Sequence, residues 1–154
     1  MVHVYETVTD KDGRYSIPGW GPKPLPPGSE IRSADPALSF FKPGYFPFAA
    51  ANTPLSDRAA RPTALGVSEW DGRVVKLRTS AGISKAYGTA LEVLSRSLVD
   101  ARENWRAYPR MIYALWQEEN RLPKDVVGPF SRLTPIDVER LNREERRFLE
   151  ERGR

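Results

Sequence analysis

The spacing of apolar residues changes halfway along the chain. In the first half they come in short, alternating groups bounded by turn residues. Val2 and Val4, continued through residues 7–9, alternate with polar positions and predict a strand, and residues 14–17 predict another. The segment ALSFFKPGYFPF (residues 37–48) predicts a strand through Phe41, a turn at Pro43-Gly44 and aromatic residues beyond it. In EWDGRVVKLRT (residues 69–79), Asp71-Gly72 predicts a turn leading into a strand at 74–77.

The second half is written in a helical period. Tyr87, Leu91, Leu94, Leu98, Ala101 and Trp105 follow at spacings of 4, 3, 4, 3 and 4, an apolar stripe along one helix face. Pro109 suits the first turn of a second helix, whose buried side is expected to hold Ile112, Leu115, Trp116 and Leu122. Thr134-Pro135-Ile136-Asp137 predicts the start of a third, with threonine as cap, proline at the first helical position and aspartate facing the free amides. Its apolar side would carry Val138, Leu141, Phe148 and Leu149. Six acids and six arginines lie between Asp137 and Arg154, so its outer face is expected to be solvated and internally paired.

Strands followed by helices, rather than alternating with them, make an α+β protein. A partial antiparallel β-sandwich is expected over residues 1–79. About three helices would follow over residues 80–154, packing on the sheet region or extending from it. No internal repeat or low-complexity tract interrupts this order.

Composition narrows the class. At 154 residues, 40% hydrophobic and 29% charged, the chain is long enough to bury a core. Ten of its fourteen prolines precede residue 63, and PGWGPKPLPPGSE (residues 18–30) cannot serve a central strand. The absence of cysteine excludes disulfides and thiolate metal sites. No apolar run is long enough to cross a membrane, and the residues after Met1 carry no export signal. Residues 1–70 hold seven cations and seven acids, whereas residues 71–154 hold seventeen and thirteen. That excess is interspersed with acids, a weak pointer to nucleic acid.

One stretch, TDKDGRYSIP (residues 9–18), looks like chemistry. An EF-hand needs oxygen ligands at positions 1, 3 and 5, glycine at 6 and a bidentate acid at 12. Counted from Asp10, glycine falls at position 4, Arg14 at position 5 and Gly21 at position 12. Arginine offers a cation no oxygen. The stretch therefore reads as a tight turn between strands, with Gly13 supplying positive φ and the aspartates bonding local amides.

Thr9, Asp10, Asp12, Gly13, Tyr15 and Ile17, followed by Pro43, Gly44 and Tyr45, resemble the carboxypeptidase regulatory-like domain, a transthyretin-like β-sandwich of many bacterial envelope proteins. The resemblance covers residues 4–48 and is carried by turns and core aromatics. It implies a non-catalytic module and no site residues. Relative to the family pattern the front strands are missing and the loop before Pro43 is longer. The sandwich is thus expected to be N-terminally incomplete, with a natural start upstream of Met1. An export signal in that upstream region would place the protein in the periplasm or cell envelope.

Catalysis finds no footing in the sequence. The single histidine, His3, is expected to be a surface residue, and Glu118-Glu119 to be solvated rather than a working carboxylate pair. No catalytic, cofactor-binding or metal-ligating residue is assigned, and no cofactor is expected. Arg102, Arg106 and Arg110 among Trp105, Tyr108, Tyr113 and Trp116 could stack bases and bind phosphates. Trp105 and Trp116 fit the apolar helix faces better as core, with arginine stems alongside. The leading expectation is a non-enzymatic binding or accessory module of a bacterial envelope protein, meeting a protein partner or a second copy through an exposed sheet edge. The alternative is a nucleic-acid-associated protein using the basic, aromatic helical half.

Overall fold

The computed structural model describes residues 4–18, 38–50, 72–80, 84–98, 105–128 and 132–154. The protein is α+β, with a two-stranded antiparallel sheet and helices among the described residues. Strands β1 (Leu38–Phe40) and β2 (Phe48–Ala50) pair Leu38 with Ala50, Ser39 with Ala49 and Phe40 with Phe48. Helices α1 (Lys85–Ser97), α2 (Pro109–Arg121), α3 (Lys124–Val127) and α4 (Arg143–Gly153) follow, with a 3-10 turn at Val138–Arg140 before the last. The chain divides into two compact units. One takes Met1–Ile17, Phe41–Pro47 and Leu77–Arg154; the other takes Pro18–Phe40 and Phe48–Lys76.

Two of the expected turns form as the sequence predicts, and Asp71 of the third lies outside the described residues. Gly44, at φ 79°, follows Pro43 in a turn closed by the Tyr45 amide donating to the Lys42 carbonyl at 3.0 Å. Proline fixes the first central residue and glycine supplies the positive φ of the second. Residues 10–14 also form a turn. The Gly13 amide donates to the Asp10 carbonyl at 3.0 Å, and Asp10 Oδ1 accepts from the amides of Asp12 and Arg14, both at 2.9 Å. That carboxylate is used as an Asx turn, as expected for the turn reading of this stretch.

Three strand expectations failed. Residues 4–9, 14–17 and 74–77 are not strands, and Val74 is 83% exposed. An isolated antiparallel bridge, Tyr45 to Thr79, is what pairs with the turn region instead. Alternation was too short in each segment to specify a ladder.

The helical unit is built around α2, whose two sides feed two apolar clusters. The first gathers Tyr87, Leu91 and Leu94 from α1, Leu115 from α2, and Leu122 and Leu133. The second holds Trp105, Tyr108, Ile112, Val138 and Leu149, with Val4, Trp116, Leu141 and Phe148 packed against it. Met111 touches both. Of the expected buried sides, Ile112, Leu115, Leu122, Val138 and Leu149 are buried, whereas Trp116, Leu141 and Phe148 are half-buried against the second cluster.

Two helix boundaries differ from expectation. The stripe from Tyr87 to Trp105 is not one helix. α1 ends at Ser97, whose hydroxyl bonds back to the Leu94 carbonyl at 2.7 Å. Trp105 begins a separate turn, residues 105–107, in the other cluster, and Ala101 lies outside the described residues. Thr134 caps no helix. Asn142 caps α4 in a reciprocal capping box with Glu145, while Asp137 opens only the 3-10 turn.

Candidate functional site

Along α2, positions 111, 115, 118 and 122 recur at spacings of 4, 3 and 4, so they share one helix face. Met111, Leu115 and Leu122 on that face are apolar; Glu118 is a carboxylate, and it is 2% exposed. Its burial corrects the expectation of a solvated Glu118-Glu119 pair. A charge buried this deeply must be matched by donors or it would be neutralised. The matching is complete. Tyr87 Oη of α1 donates to Glu118 Oε1 at 2.7 Å, and Arg121 Nε donates to Oε2 at 2.9 Å while its terminal nitrogen reaches Oε1 at 2.5 Å. The Gly44 amide, at the tip of the turn between β1 and β2, splits between Tyr87 Oη at 3.0 Å and Glu118 Oε1 at 3.3 Å.

The charge state follows from these partners. Burial pulls the Glu118 pKa up, but the Arg121 guanidinium, the Tyr87 hydroxyl and the Gly44 amide outweigh it and hold the carboxyl below its usual range. Burial and the neighbouring carboxylate push the Tyr87 phenol well above its ordinary value. Glu118 is an anion and Tyr87 a neutral donor throughout the neutral range. With its oxygens accepting from Tyr87, Arg121 and Gly44, Glu118 braces three segments.

Glu119 points elsewhere. Its Oε2 accepts from the Thr134 amide at 3.0 Å and from Thr134 Oγ1 at 2.6 Å, tying α2 to the segment before the 3-10 turn. The two adjacent carboxylates thus serve different partners.

A third carboxylate was missed by the sequence reading. Glu6 accepts from the Met111 amide at 2.6 Å and the Arg110 amide at 3.0 Å, the free donors in the first turn of α2. Tyr108 supplies no side-chain cap there, and Pro109 has no N–H. No local sequence signal joins residues 105 apart.

The aromatic-arginine stretch is mostly core. Trp105 and Tyr108 are 7% and 3% exposed, and Trp105 meets Phe148 edge-on at 5.8 Å. Arg106 lies 4.9 Å over the Trp105 ring and pairs with Glu145 at 2.9 Å. Arg102 and His3 fall outside the described residues. Among the described residues, no group of acids and histidines is arranged to hold a metal, and no helix is long and apolar enough to cross a membrane.

Tyr5, Val8 and Ile17 are 58%, 53% and 39% exposed and flank the turn at residues 10–14. Comparison with family models, with curated proteins and with solved structures finds no match to this chain.

Proposed function

We propose that the protein is a non-enzymatic binding or accessory module related to the carboxypeptidase regulatory-like domain, with a transthyretin-like sandwich as its β region and a place in the bacterial envelope. The observation that carries this reading is the exposure of Tyr5, Val8 and Ile17 on both sides of one tight turn. Large apolar side chains left in water around a rigid turn suit a protein partner, a second copy included. The family resemblance is supported by the Asp10-x-Asp12-Gly13 and Pro43-Gly44 turns, which close where its motif needs them.

Sedimentation of the full chain across a concentration series, with cross-linking in the native cell and fractionation of its envelope, tests the proposal. Association should fall on joint Tyr5→Ser and Val8→Ser substitution while the melting temperature stays unchanged, and the protein should sediment with the envelope fraction. A soluble monomer that cross-links to nothing overturns it. Salt-dependent retardation of nucleic acid, lost on Arg106→Ala and Arg110→Ala, would decide for the alternative. The pairing of Arg106 with Glu145 favours that alternative less, since its charge is already matched.

A further inference from the structure

We propose that Glu118 is an acid-released latch that holds the tip of the β1–β2 hairpin against the helices. The tip, residues 42–46, has few ways of holding on. Phe41 and Phe46 rest on the first apolar cluster, and Phe46 stands edge-on to Tyr87 at 5.6 Å. Its polar attachment to α1 and α2 is the Gly44 amide, shared between Tyr87 Oη and Glu118 Oε1. The other tip bonds run to residues 78–80. The Phe46 amide donates to the Arg78 carbonyl at 2.8 Å, and the Ser80 amide donates to the Gly44 carbonyl at 2.9 Å. Tip and residues 78–80 are thus tied to each other, and can leave the helices as one piece.

The latch depends on charge because every group around Glu118 is a donor. From α1 comes the Tyr87 hydroxyl, from α2 the Arg121 guanidinium, and from the tip the Gly44 amide; among the described residues, Tyr87 and Arg121 are the ionisable groups that act on it. An ionised carboxylate accepts all of them. A protonated one becomes a donor itself, with a hydroxyl facing other donors and Arg121 left without its counter-charge. The sign follows: the folded carboxyl titrates below its unfolded value, so the latch is complete above the ordinary carboxylate range and fails as pH falls through the folded value. The second cluster, which joins α2 to α4 through Ile112 and Leu149, includes neither Glu118 nor its partners, so release leaves it in place and uncovers Phe46 and Tyr87.

Hydrogen exchange at the Gly44 amide in the full chain, corrected for the intrinsic effect of pH, tests this. From neutral pH to below the carboxylate range, protection should fall by about tenfold or more while the amides of Ile112 and Leu149 hold theirs. Glu118→Gln should be poorly protected at Gly44 already at neutral pH, with no further dependence. Should that variant not fold, Tyr87→Phe removes one donor and should move the midpoint up toward the ordinary carboxylate value. Gly44 protection that ignores pH, that falls in step with Ile112 and Leu149, or that keeps its pH dependence in Glu118→Gln overturns the latch.

Discussion

Gly88 of α1 lies directly beneath the carbonyl of Val126 in α3. A β-carbon built at position 88 would collide with that oxygen and sit 3.0 Å from the carbonyl carbon. The neighbour is backbone, so no side chain can swing away. Two effects compete in Gly88→Ala. Alanine favours a helix interior by about 1 kcal/mol over glycine, whereas overfilling a packed contact costs about 1–3 kcal/mol. With backbone as the obstacle the second should win, and denaturant unfolding should show a net loss. A gain in stability would mean that α3 does not pack there.

Glu6 and Met111 make the second test, because a helix capped from a distance loses its cap when the distant residue is cut. Glu6→Ala should cost about 1 kcal/mol, comparable to removal of a local cap, and should speed exchange of the Arg110 and Met111 amides. The pH dependence has its own sign. Burial pushes the Glu6 carboxyl above its usual range, against the pull of the two amides and Arg110. Its contribution is therefore fullest below the unfolded carboxylate value and declines as pH rises through the folded one. The unfolding free energy of the wild type relative to Glu6→Gln should therefore decline as pH rises across that window.

Thr134 and Asn142 separate a tempting cap from an actual one. Asn142→Ala removes the side chain that accepts from Glu145 at 2.9 Å, and should cost about 1 kcal/mol with fraying of the first turn of α4. Thr134→Ala should leave that turn intact. Its cost should come from Glu119, which loses its bond to the hydroxyl in a buried setting, and a Glu119→Gln background should reduce it. Amide exchange in α4 distinguishes the two directly.

These residues show how far the sequence could be read. Pro43-Gly44 and Asp12-Gly13 were legible because proline and glycine set φ by themselves, with no help from the rest of the fold. The faces of α2 and α4 were legible because a period of 3.6 residues requires only local geometry. The end of α1 was not, since the 4-3-4 spacing runs on past Ser97 while its hydroxyl competes for a helix carbonyl. The expected strands at 14–17 and 74–77 failed because alternation over four residues does not name a partner. Glu118 could have been found, as a carboxylate on the stripe of Met111, Leu115 and Leu122 with an arginine three residues on. Glu6 could not, since its partner is fixed only by tertiary folding.

The last test returns to the turn that resembles a cation loop. Asp10 Oδ1 already accepts from the amides of Asp12 and Arg14, so binding an ion through it would break two bonds that close the turn. Neither chelator nor added calcium should move the melting temperature of the full chain. Asp10→Ala should loosen the turn and deprotect the Arg14 amide, with or without calcium present. Gly13 supplies the complementary control. At φ 77° it stands where a β-carbon costs about 1–2 kcal/mol although nothing lies nearby to collide with one. Gly13→Ala should therefore destabilise by backbone strain, Gly13→Asn by less, and calcium should rescue neither. A calcium-dependent rise of several degrees, lost in Asp10→Ala, would instead make the turn a cation site.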